Sequence, residues 1–151
     1  MLRVAGFGVG HSSFNILTAR PGVVVHSFSE DLNNRWMFMF LRKKFPGRIK
    51  VFYGDSSDSI PVYFTLNQRL PTLRCDMIVV NGKHTDSPLN DIRNFARAAS
   101  QPYNIIVVDD MYMENVRTAW SAAVRDGIVR KMLTCEFWAM GVVIQRNNLY
   151  K

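Results

Sequence analysis

A chain of 151 residues, 48% hydrophobic and 21% charged, has the size and make-up of one globular domain, residues 1–151, able to bury a sizeable core. No apolar run approaches the roughly 18 residues of a membrane span, no signal-peptide pattern follows Met1, and Cys75 and Cys135 stand apart in apolar runs with no C-x-x-C, so a soluble cytoplasmic protein with reduced structural thiols is expected and a membrane partner is not. The net charge of +7 permits a nucleic-acid partner, with the densest basic cluster at Arg42-Lys43-Lys44, Arg48 and Lys50, but an ordinary basic surface is the expected reading and nucleic acid is not the expected partner.

Residues 2–5 read as a short buried strand, which Gly6, Gly8 and Gly10 interrupt. Ser12 and Ser13 precede Phe14, Ile16 and Leu17, the pattern of a capped helix start, so a helix is expected over about 12–19. Arg20-Pro21-Gly22 is a turn. Residues 23–28 form a second strand, apolar apart from His26 and Ser27, as suits a sheet covered on both faces. Residues 33–45 form a second helix, which Pro46-Gly47 ends. One buried stripe accounts for Met37, Phe40, Leu41 and Phe45. Trp36, Phe38 and Met39 are surplus to it and predict an exposed apolar patch or a homo-oligomer contact through this helix.

Residues 48–53 are a third strand, followed by Gly54-Asp55-Ser56. From residue 57 to about 70 a short helix broken at Pro61, then a loop, is expected. Residues 75–80 are a fourth strand ending in Asn81-Gly82-Lys83-His84. Residues 88–99 form a helix, and residues 105–108 a fifth strand ending in Asp109-Asp110. Residues 114–125 form a helix with Gly127 as its C-cap. Residues 129–135 and 142–146 read as a final antiparallel pair. Strands alternating with helices predict an α/β, doubly wound, mainly parallel sheet with right-handed crossovers.

Strand, glycine turn and helix let a backbone approach a nucleotide or nucleoside closely. The spacing Gly6-x-Gly8-x-Gly10 departs from the G-x-G-x-x-G of dinucleotide sites and points away from nicotinamide or flavin. The stretch from Val4 to Ser13 resembles motif I of class I S-adenosylmethionine-dependent methyltransferases. Within that superfamily, Gly-Phe-Gly-Val-Gly-His-Ser is similar to the small-molecule O-methyltransferase-like family of the methyltransferase domain 24 type, whose later motifs are Gly-Asp-Ser and Asp-Gly-x-His. Gly54-Asp55-Ser56 and Asn81-Gly82-Lys83-His84 stand at those places, and the resemblance covers nearly all of residues 2–146. It implies a seven-stranded, Rossmann-like sheet with an antiparallel last strand and S-adenosylmethionine as cofactor. It also implies methyl transfer to a small hydroxylated substrate. A helical segment usually precedes the first strand in such enzymes; here it is expected to be missing, with Met1 in doubt as the true start.

The same resemblance implies roles residue by residue. Gly6, Phe7, Gly8, Gly10, His11 and Ser12 would line the cofactor, Ser29 or Glu30 would meet its ribose, and Asp55 and Ser56 its adenine. Asn81, Asp109 and Asp110 would hold Mg²⁺ or another hard cation, and His84, Lys83 and Asp109 are the catalytic candidates, a side-chain base taking the acceptor's proton. Each has a plainer alternative. His11 would be a local hydrogen-bonder, Glu30 and Asp31 helix N-terminal acids, and Asp55, Ser56, Asp109 and Asp110 caps. Three positions where the family carries acids hold Val4, Ser29 and Asn81. A non-catalytic methyltransferase-like binding domain is therefore the alternative function. A nucleic-acid methyltransferase is disfavoured because no Asn-Pro-Pro-Tyr-type motif follows the fourth strand.

Overall fold

Short runs of β-branched residues separated by amphipathic stretches produce alternating strands and helices. The computed structural model describes residues 2–5, 10–67, 77–81, 88–98 and 104–144. In chain order these are β1 (Leu2–Ala5), α1 (His11–Ala19), β2 (Val25–Ser29), a 3-10 turn (Leu32–Asn34), α2 (Arg35–Lys44), β3 (Ile49–Tyr53) and α3 (Ser56–Asn67). Then come β4 (Met77–Val80), α4 (Pro88–Ala98), β5 (Ile105–Val108), α5 (Glu114–Arg125), β6 (Val129–Thr134) and β7 (Ala139–Val143). The strands form one sheet in the order β3-β2-β1-β4-β5-β7-β6. β1 to β5 are mutually parallel, and β7 runs antiparallel to both its neighbours.

Side chains of β2 alternate between the two faces. Val25 joins Leu17 of α1, Leu41 of α2 and Ile49 on one face. Phe28 joins Ile60 and Tyr63 of α3, Phe95 of α4, Ile106 of β5 and Trp120 of α5 on the other. The sheet is thus doubly wound. α5 buries Val116, Ala119, Trp120 and Ala123, a spacing of three and four residues that keeps one stripe inward. Its end is a Schellman motif: Gly127 has φ 68°, its N–H donates to Val124 O, and Ile128 N–H donates to Ala123 O.

Four expectations need correcting. Leu41 is fully buried and fixes the phase of α2, so Phe38 packs inward with Met37 and Phe45. Phe40, about 100° around the helix from Leu41, is 49% exposed instead of lying in the stripe. α3 runs through Pro61 unbroken; Pro61 is its sixth residue, so the helix goes on with one internal bond, to the carbonyl of residue 57, not made. The last strand is residues 139–143, because the link after β6 is short: Cys135 N–H donates to Trp138 O at 2.9 Å. Cys135 is exposed at that turn, while Cys75 lies outside the described residues.

Arg48 also departs from the basic cluster. Its guanidinium donates to the carbonyls of Leu17, Arg20 and Val23 at 2.8 to 2.9 Å, capping the end of α1. It is a structural cation.

Candidate functional site

In an open parallel sheet the ligand crevice opens at the carboxyl ends of the strands, where the strand order reverses. Here that place is beyond β1, between β2 on one side and β4 on the other. Gly6, Phe7 and Gly8 of the glycine loop lie outside the described residues, as do Lys83 and His84. Gly10 is described. It sits at φ 77°, ψ 6°, the left-handed conformation that glycine adopts without strain, and is the residue before α1.

Among the described residues no side chain caps α1. The expected cap from Ser12 or Ser13 is corrected: the helix opens at His11, and Ser13 is buried with its hydroxyl 3.2 Å from that of Ser27. Ser13 therefore ties α1 to β2. Backbone N–H groups at an uncapped helix start suit an anionic oxygen. His11 is exposed, with its ring Nε2 3.4 Å from Asn15 Nδ2, and Ser12 is half-buried beside it.

At the end of β2, Ser29 is buried and its Oγ accepts from Asp31 N–H at 3.2 Å. Asp31 accepts from Asn33 N–H and Asn34 Nδ2, both at 2.8 Å, and so caps the 3-10 turn. Asp31 is thus an acid at a helical N-terminus, as its plainer alternative expects. Glu30 stands exposed between them.

The end of β3 is tied to that of β2 by Gly54 N–H donating to Ser29 O at 2.9 Å. Gly54 has φ 140°, and Asp55 follows it, exposed, with its carbonyl accepting from Ser59 N–H at 2.8 Å. Ser56 opens α3. Two residues here escaped sequence reasoning. The hydroxyls of Tyr53 and Ser59 are buried without a hydrogen-bond partner, on either side of Gly54 in the chain. Burial holds the Tyr53 phenol above its ordinary value; the charge of Asp31 adds to that, and Arg35 opposes it. An orphaned buried hydroxyl is costly, and a ligand able to pair with it would relieve the cost.

At the ends of β4 and β5, Asn81, Asp109 and Asp110 do come together. Asp109 N–H donates to Val80 O at 2.9 Å, joining the two strand ends. The Asn81 amide donates to Asp109 Oδ2 at 2.9 Å, and Asp109 Oδ1 accepts from Asp110 N–H at 3.0 Å. Asp110 has φ 59°, unusual outside glycine. Its carboxylate raises the exposed Tyr112 phenol's pKa, chiefly by charge.

This arrangement does not fit the expected cation. Asn81 turns its N–H donors toward Asp109, where a metal would need its oxygen. An oxygen facing Asp109 Oδ2 at that distance would be repelled, so the donor is the group that belongs there. Among the described residues, no group of three or more His, Cys, Asp or Glu side chains is placed to hold a metal. The amide does for Asp109 what a cation would otherwise do.

No protein-family model and no curated protein sequence matches the chain. Solved structures do match in fold. The O-methyltransferase TomG from Streptomyces achromogenes, solved with S-adenosylmethionine, superposes with a TM-score of 0.73 at 15% identity over 95% of this chain and 73% of its own. The O-methyltransferase from Bacillus cereus, solved with S-adenosylhomocysteine, gives 0.71 at 14% identity over 94% and 73%. An O-methyltransferase family protein from Burkholderia thailandensis gives 0.69 at 14% identity; the match takes in 96% of this chain but only 51% of that one, about half its length. The chain thus shares its overall fold with these O-methyltransferase structures.

Proposed function

We propose that this chain is an S-adenosylmethionine-dependent methyltransferase domain acting on a hydroxyl oxygen of a small acceptor. The observation that carries the reading is Gly10: a left-handed residue at the end of the glycine-rich stretch that follows the central strand, opening a helix that no side chain among the described residues caps. It stands in a fold shared with proteins solved holding S-adenosylmethionine or its demethylated product. S-adenosylmethionine supplies an electrophilic methyl group on a sulfonium.

The chain's own residues divide the remaining work. The open N–H groups of α1 suit the cofactor's carboxylate. Glu30, with two acceptor oxygens, suits the ribose hydroxyls better than the buried Ser29, whose hydroxyl is engaged by Asp31. Asp55 suits the adenine amine. Asp109 is fixed by two donors and retains lone pairs for an acceptor's O–H. Lys83 and His84, which follow Asn81 in the sequence, are the further base candidates. The exposed free thiol of Cys135 suits a reducing cytoplasm.

A binding-only domain is the second reading, favoured by Ser29 standing where an acid is usual. Calorimetry and melting curves with S-adenosylhomocysteine test both. Ligand at about 100 times its dissociation constant adds about 2.7 kcal/mol of stability. No heat and no rise in melting temperature at millimolar ligand overturns both readings. Binding without transfer of a labelled methyl group to any of a panel of small hydroxylated acceptors leaves the binding domain.

A further inference from the structure

The charge of this chain is concentrated. No Asp or Glu stands between Asp31 and Asp55, while Arg35, Arg42, Lys43, Lys44, Arg48 and Lys50 all do, leaving thirteen cations against twelve acids in the rest of the sequence. Arg48 is occupied by backbone carbonyls. The four cations of α2 are exposed. The same helix, with the 3-10 turn before it, presents a hydrophobic ridge to solvent. Leu32 of the turn and Trp36, Met39 and Phe40 of α2 are 60%, 62%, 58% and 49% exposed. The spacing of three and four residues keeps Trp36, Met39 and Phe40 on one side of α2, away from the buried Leu41. Arg35 and Arg42, seven residues apart, lie along one side of α2, and Lys43 and Lys44 stand at its far end, with Lys44 Nζ 5.8 Å from the Phe40 ring centre.

We propose that the outward face of α2 docks the domain on an anionic lipid surface. Four large apolar side chains around a helix turn are a costly display in water. Buried at the boundary between head groups and acyl chains, they leave water, while flanking Lys and Arg reach the anionic head groups. A second copy of the chain fits the face poorly. A two-fold contact through α2 would set four cations against the same four. Single-stranded nucleic acid fits less well too, since Leu32 and Met39 offer bases no flat ring, and the ridge is convex where such sites are grooves. No helix among the described residues is long and apolar enough to cross a membrane, so the contact is peripheral.

Co-sedimentation with vesicles tests this. The chain is expected to bind phosphatidylcholine vesicles containing about 30 mol% phosphatidylserine at least about tenfold more tightly than phosphatidylcholine alone, and to be released by high salt. The double variant R42S/K43S is expected to bind about 25-fold more weakly, about fivefold per cation. W36S/F40S, which keeps every charge, is expected to lose more than about tenfold. Circular dichroism and melting curves report whether each variant folds, and all four substituted positions are exposed. No binding to anionic vesicles at low salt overturns the proposal. So does vesicle binding that both variants retain, a dimer in light scattering that W36S/F40S dissociates without vesicle binding, or tighter binding to a single-stranded oligonucleotide with the same sensitivity to both variants. None of these outcomes depends on S-adenosylmethionine binding.

Discussion

Tyr53 hides a phenol hydroxyl from water at the end of β3 and gives it no partner. Its folded pKa lies above the ordinary 10.0, first because of burial. The folded state therefore holds the proton more tightly than the unfolded chain. That contribution is fully present below pH 10 and is lost as the pH rises through the folded pKa. Tyr53→Phe is expected to flatten the alkaline fall in melting temperature and to leave neutral stability unchanged or higher, because an unpaired hydroxyl is removed. If the orphan hydroxyl serves the cofactor, the same variant loses part of the stabilisation given by S-adenosylhomocysteine; an unchanged ligand shift at neutral pH would separate Tyr53 from the site. Asn81 offers the opposite test. Asn81→Asp replaces a donor with an acceptor 2.9 Å from an Asp109 oxygen. Two facing carboxylates are expected to cost about 1–2 kcal/mol, or about 3–6 °C of melting temperature in chelator. Mn²⁺ should restore that loss in the variant and leave the wild type where it was. Equal melting points with and without Mn²⁺ in the variant would show that these strand ends cannot be turned into a cation site.

Elements show why some positions were readable and others were not. β5 and α5 fall where the sequence put them, because four consecutive β-branched residues and a Glu114-to-Gly127 stretch with one inward stripe each have few alternatives. β7 was misplaced by three residues because Gly141 reads as a loop residue. Its real reason is crowding: a Cβ there would lie 2.5 Å from Val129 Cγ1, 2.8 Å from Arg130 O and 2.9 Å from the Trp120 ring. Gly141→Ala is expected to cost about 1–3 kcal/mol, since a backbone oxygen cannot step aside as a side chain can; a melting temperature within a degree of wild type would refute the crowding. Gly127→Ala, at φ 68°, should cost about 1 kcal/mol through backbone strain, which a melting curve would register as a smaller drop than that of Gly141→Ala. The candidate site divides in the same way. Asn81, Asp109 and Asp110 were legible because polar residues end apolar strands. Ser13 bonding Ser27, or Tyr53 and Ser59 losing water, depends on neighbours brought from elsewhere in the chain, and no local pattern announces them.

At the scale of the whole molecule, chain order and space order disagree at one end of the sheet. Among the described strands β7 is made last, yet it lies inside, between β5 and β6, and it alone of them joins β6 to the rest of the sheet. During synthesis β6 therefore leaves the ribosome with no strand to pair with, and Trp120 waits without the Gly141 backbone that covers it. The domain cannot ripen gradually at this end; it closes when residue 143 has emerged and a ready-made gap is filled from both sides. A nascent chain whose first 138 residues are followed by a flexible linker long enough to clear the tunnel should be cut readily by protease throughout β6 and α5, and one whose first 144 residues are followed by the same linker should resist. Protection appearing already in the shorter chain would mean that β6 finds another partner first. The order of birth thus makes the last interior strand a latch, and mistakes made there would leave two unpaired edges, on β5 and β6, open to a neighbouring chain.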